Sequence, residues 1–155
     1  MGSHDNETEV LRCAAMLHNI GKIGIPDAIL TKPGRLTDEE FEIIKTHPII
    51  GADILGQTSF LAAEVGIVRH HHERWDGKGY PDGLAGDAIP LGARLINVCD
   101  AADCMFNVRS YKEGYNLDKV IGELERNSGT QFDPRLAELM IEFLKTTPDK
   151  IHYPC

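Results

Sequence analysis

The sequence predicts an all-α fold: a bundle of about seven helices with one long irregular loop. Three observations carry that expectation. Apolar residues recur at helical spacing through 7–18, 60–72, 91–106, 117–126 and 134–145. The alternation of apolar and polar residues that marks strands is missing. Helix-start signals stand where periodic stretches begin. Thr37 with Glu40 forms a capping-box sequence, Pro48 and Pro90 suit first turns, and Asp133-Pro134 joins an N-cap to a first-turn proline.

The elements follow in order. Val10, Leu11, Ala14 and Leu17 share one face of a helix expected to end near Gly21, with His18 and Asn19 on its last turn. Pro26 opens a short turn or helix, and Pro33-Gly34 marks a tight turn. The helix after Thr37 carries Phe41, Ile44 and Lys45. It is expected to stop at His47, because a following proline disfavours helical geometry. The next helix carries Ile49, Ala52, Asp53 and Leu55, so His47 lies at a junction. Leu61, Val65 and Val68 form the stripe of residues 60–72. Residues 73–89, with Gly77, Gly79, Gly83 and Gly86, form the long loop, and loops of that length in a compact domain are usually functional. The helix from Leu91 to Phe106 is the most apolar, yet it carries Asp100 and Asp103 among Ile96, Val98, Cys99 and Ala102.

A chain of 155 residues with 42% hydrophobic and 26% charged residues fits one globular domain with its own core. The net charge of -8 argues against polymeric nucleic acid and anionic membranes as partners, but not against a small phosphate ligand beside a cation. No apolar run approaches the ~20 residues of a membrane span, and no signal peptide is visible. Cys13, Cys99, Cys104 and Cys155 form no CxxC pair. Cys13 and Cys99 read as reduced core residues in a cytoplasmic setting. Met1 to His4 reads as a cloning remnant, leaving 5–155 as the domain and His4 outside the site.

The chemistry concentrates in residues 69–81, where His70, His71, His72 and Glu73 run into a loop bearing Gly77, Gly79, Tyr80 and Pro81. Glycines let backbone approach a ligand closely. His18, Asn19, His47 and Asp100 are expected to converge here. Imidazole nitrogen and carboxylate oxygen suit Zn, Mn and Fe, and an ionised aspartate on an apolar helix is costly unless paired or metal-bound. Each histidine alone reads more readily as a hydrogen-bonded core residue than as a ligand. Lys22, Arg109 and Lys112 read alone as solvated charges. Trp75 and Tyr80 read as cover for the core, His70 as outward-facing, and Asp103 as a helper residue.

Taken together, His18-Asn19 with Lys22 and Asp27, Lys32-Pro-Gly34, His47-Pro48 with Gly51, His71-His72-Glu73 and Asp76-Gly-Lys-Gly79-Tyr80-Pro81 resemble the HD-GYP domain. Gly83-Leu84, Ile89-Pro90-Leu91, Asp100 with Asp103, Arg109 with Tyr111 and Gly129 to Pro134 extend the resemblance over nearly the whole chain. It implies an HD-superfamily helical bundle and a phosphodiesterase that hydrolyses cyclic di-GMP to pGpG or GMP. It implies divalent cofactors, Fe or Mn, and His18, Asn19, His47, His71, His72 and Asp100 as metal ligands. Asp100 and Lys22 then serve catalysis. Lys22, Gly79, Tyr80, Pro81, Arg109 and Lys112 bind the cyclic dinucleotide. Signalling proteins and a second copy of the chain are the further partners implied. The pattern breaks at Asn19, where the family has aspartate: an amide offers one neutral oxygen and adds no charge for a second cation. Family helices that carry further ligands are expected upstream of this segment. A catalytically inactive binding or interaction module is the alternative these departures raise.

Overall fold

The computed structural model describes residues 2–106 and 117–147, with side chains from residue 6 onward. Its helices are α1 (Gly2–Leu17), α2 (Asp27–Leu30), α3 (Asp38–Ile44), α4 (His47–Gly56), α5 (Ala62–His70), α6 (Leu91–Phe106), α7 (Leu117–Asn127) and α8 (Pro134–Thr146). Short 3-10 turns occupy Ile20–Gly24, Ser59–Leu61 and Gly86–Ala88. Among the described residues there is no strand, only an isolated bridge between Ser128 and Phe132. No described helix is long and apolar enough to cross a membrane.

Two apolar clusters hold the helices together. Ala14, Leu55, Val68 and Ile96 draw α1, α4, α5 and α6 into one core. Val98, Ala102, Val120, Ile121, Leu124, Phe132, Ala137 and Leu144 join α6 to α7 and α8 in the other. Burying the Val, Leu, Ile and Phe side chains among them contributes roughly 1.5–3 kcal/mol each, so α6, which serves both clusters, is the spine of the fold.

Local signals act where the sequence places them. The Thr37 hydroxyl accepts from the Glu40 amide, and the Glu40 carboxylate accepts from the Thr37 amide. Asp133 accepts from the Arg135 amide and caps α8 behind Pro134. Helix ends differ from expectation. α1 stops at Leu17, so His18 and Asn19 lie in the turn beyond it. α3 ends at Ile44 and α4 begins at His47, because Pro48 fits the first turn of α4 and the chain bends through Lys45 and Thr46. Residues 60–72 divide into a 3-10 turn and the shorter α5. Cys99 is exposed, on the solvent side of α6, rather than in the core.

Two glycines set close approaches. A side chain on Gly21 would strike the His47 carbonyl and the Gly51 amide, so only glycine lets the turn after Asn19 pack on α4. At Gly79 it would strike the backbone of Glu73 and Arg74, which folds the loop back on its own start.

Candidate metal centre

His47 opens α4, while His71 and His72 follow the last residue of α5. α4 and α5 pack side by side, and their junction brings the three imidazoles together with one nitrogen from each within 4.8 Å of the others. His47 and His71 are both 1% exposed. Nδ1 of His47 lies 2.7 Å from the Ile44 carbonyl and Nδ1 of His71 2.6 Å from the Val68 carbonyl. A carbonyl only accepts, so both Nδ1 atoms carry the proton and both Nε2 atoms keep a lone pair. Those two Nε2 atoms stand 3.4 Å apart. No hydrogen bond joins two lone pairs, so the contact calls for a cation between them.

A proton does not fill that role. Burial pushes His71 down to about 2, helped by the charge of His72. Burial, with His47 next, pushes His72 down to about 4. His47 is lowered for the same reason, with the Lys22 charge adding to it. Three neutral imidazoles in a dry corner are the donor set a divalent ion takes.

His18 and Asp100 border this cluster. The His18 ring meets His71 edge-on at 5.2 Å, and its Nε2 lies 3.7 Å from Asp100 Oδ1. Asp100 raises the His18 pKa, and His18 in turn holds the Asp100 carboxyl below its usual range. Asn19 Nδ2 donates to His18 Nε2 at 2.7 Å, and Asn19 Oδ1 is buried without a hydrogen-bond partner. An orphaned buried oxygen beside a histidine and an aspartate fits a second cation position. The amide N–H, however, occupies the lone pair His18 would offer.

Tyr80 stacks on His72 with ring centroids 5.0 Å apart and closes the cluster from the loop side. Burial raises its hydroxyl to about 12, so it stays a neutral donor. The loop is tied down at several points. The Asp82 amide donates to the Glu73 carboxylate at 2.7 Å, and the Asp82 carboxylate takes two hydrogen bonds from Arg69. His70 points its Nε2 at the same carboxylate, 2.9 Å away, so it anchors the loop instead of facing outward. The Trp75 amide donates to the Gln131 carbonyl and the Asp76 amide to the Thr130 carbonyl. Arg94 sits over the Trp75 ring and pairs with Asp133 and Asp87.

The structure thus gathers His18, Asn19, His47, His71, His72, Tyr80 and Asp100, with Lys22 close enough for its charge to bear on three of the histidines. Gly79 and Pro81 flank Tyr80, and the Tyr80–Pro81 peptide is cis. Arg109 and Lys112 lie outside the described residues. Asn97 escaped the sequence reading. One turn before Asp100, it donates to the His71 and Glu73 carbonyls and fixes the backbone that carries both imidazoles. The signal that singled out Asp100, a polar side chain among Ile96 and Val98, applied to it equally.

Comparison with known proteins identifies the family. A sequence model of the HD domain matches residues 1–136, and the chain belongs to that family, in its HD-GYP branch. It is similar to the cyclic di-GMP phosphodiesterase response regulator RpfG of Xanthomonas campestris, with 43% identity over 91% of this chain and 38% of that protein. A cyclic di-GMP phosphodiesterase of Thermotoga maritima is 42% identical over 96% of this chain and 41% of its own length. A 3'3'-cGAMP-specific phosphodiesterase of Vibrio cholerae is 38% identical over 91% of this chain and 27% of its own. The chain therefore spans well under half the length of these relatives. A solved cyclic GMP-AMP-specific phosphodiesterase of V. cholerae shares the fold, with a TM-score of 0.69 at 22% identity over 92% of this chain and 39% of that one.

Proposed function

We propose that this chain is a metal-dependent phosphodiesterase domain that hydrolyses cyclic di-GMP to pGpG or GMP. The observation that carries the reading is the approach of the buried His47 and His71 Nε2 atoms to 3.4 Å, beside His72 and the Tyr80 ring stacked on it. The relatives named for that activity support it. His47, His71 and His72 would hold one divalent ion, Fe or Mn, and His18, Asp100 and Asn19 would serve a second position. When bound, such ions polarise the phosphate and lower the pKa of water.

The chain's own residues do the rest. Lys22 places positive charge where negative charge grows on the phosphate in the transition state. Asp100, kept ionised beside His18, supplies the anionic charge that Asn19 does not. Tyr80 covers His72 and excludes water from that side, with Gly79 and Pro81 shaping the loop around it. Arg109 and Lys112 grip the phosphates. The reading treats residues 5–155 as the domain, in the cytoplasm, with signalling proteins or a second copy of the chain as partners.

A second reading has its own observation. The Asn19 N–H on His18 Nε2 competes with metal there, which favours a catalytically inactive cyclic di-GMP-binding or protein-interaction module. The deciding experiment incubates Mn- or Fe(II)-loaded protein with cyclic di-GMP and follows products by chromatography. Linear product is expected. Its absence from both the wild type and Asn19→Asp overturns the phosphodiesterase reading, whereas rapid turnover by the wild type eliminates the inactive one.

A further inference from the structure

The aromatic surface around the histidines continues past Tyr80. Phe41 on α3 meets Tyr80 edge-on, with centroids 6.5 Å apart and planes at 81°. Lys45, one helical turn later and so on the same face, holds its ammonium 5.0 Å from the Phe41 centroid and 5.9 Å from that of Tyr80. Phe41 is 44% exposed, so part of its ring faces solvent beside Tyr80 and Lys45. Lys45 donates to Glu42 at 2.6 Å, which steadies the side chain and leaves two N–H donors.

We propose that Phe41 and Lys45 form a nucleobase subsite, one wall of the substrate cleft. The inference rests on the cyclic-dinucleotide reading above. With the phosphate at the histidine cluster, the sugar spans Tyr80 and the base reaches the open face of Phe41. Every base presents a π-face to a ring, so Phe41 supplies affinity. Guanine presents two acceptors, O6 and N7, on one edge, whereas adenine presents an acceptor and a donor. An ammonium therefore favours guanine, and Lys45 supplies selectivity.

The test is calorimetry of cyclic di-GMP and cyclic di-AMP binding to the whole chain with Mn²⁺, with kinetics on the same proteins. Phe41→Leu keeps apolar bulk and removes the ring face. It is expected to weaken cyclic di-GMP binding about tenfold, with the loss falling on KM, and Phe41→Trp is expected to restore it. Lys45→Met is expected to narrow the preference for cyclic di-GMP over cyclic di-AMP several-fold. Phe60→Ala, at a still barer ring (79% exposed) on the 3-10 turn before α5, is the control and is expected to change neither. Wild-type affinity and selectivity in both Phe41→Leu and Lys45→Met overturn the subsite while the phosphodiesterase reading stands. Failure of the wild type to bind cyclic di-GMP overturns both.

Discussion

In the proposed reading, Asn19 is the residue on which metal loading turns. Its amide nitrogen faces His18 and its oxygen is buried without a partner. Asn19→Asp replaces the donor with a second anionic oxygen. It is expected to add about one tightly bound divalent ion per chain, read by elemental analysis after desalting. Unchanged stoichiometry would show that the position holds no cation. The convergence of His18, His47, His71 and Asp100 was legible mainly through the resemblance to the HD-GYP domain; the residues alone, drawn from separate segments, gave only a weak signal. Roles that depend on rotamer and partner were not. His70 is the same residue type as its neighbours, and only the fold shows that it ties down Asp82 instead of turning outward. Asn97 acts through backbone carbonyls, which no sequence displays.

At the scale of elements, the loop through Tyr80 is held by contacts rather than by bulk. Gly79→Ala forces a methyl against fixed backbone, and overpacking of this kind costs about 1–3 kcal/mol, measurable by chemical denaturation. Asp82→Ala removes the acceptor shared by Arg69 and His70. Trypsin is then expected to cut the exposed Lys78 several-fold faster; an unchanged cleavage rate would show that the Glu73 and Trp75 ties suffice. Arg94→Met strands the carboxylate of Asp133, which is 4% exposed and caps α8. Breaking a buried pair from one side costs about 3–5 kcal/mol, so this variant should be among the least stable. Capping and first-turn prolines were readable because they act within one helical turn. The end of α3 was not, since the bend through Lys45 and Thr46 is set by the packing of α4.

For the molecule as a whole, the neutral histidines write a pH dependence. In the unfolded chain His71 and His72 bind protons below about 6.5. In the folded chain they resist doing so until about 2 and about 4. The unfolded state therefore gains protons first on acidification. Stability is complete above pH 6.5 and falls as pH drops below it, by up to about 1.4 kcal/mol per unit for each group. His18, whose pKa is raised, offsets part of this. Metal-free protein is expected to melt about 5 °C lower at pH 5.5 than at pH 7.5. A midpoint that stays level or rises on acidification would show that these imidazoles are not held neutral.

The shared helix α6 has a practical corollary. Asp100 stands among residues that serve the two cores, Ile96 facing the first and Val98 and Ala102 the second. Trimming the protein after residue 106 would spare every candidate histidine ligand yet strip the greasy backing from the strut that presents the acid. A minimal domain carved from this chain must keep α7 and α8, although neither contributes a candidate ligand.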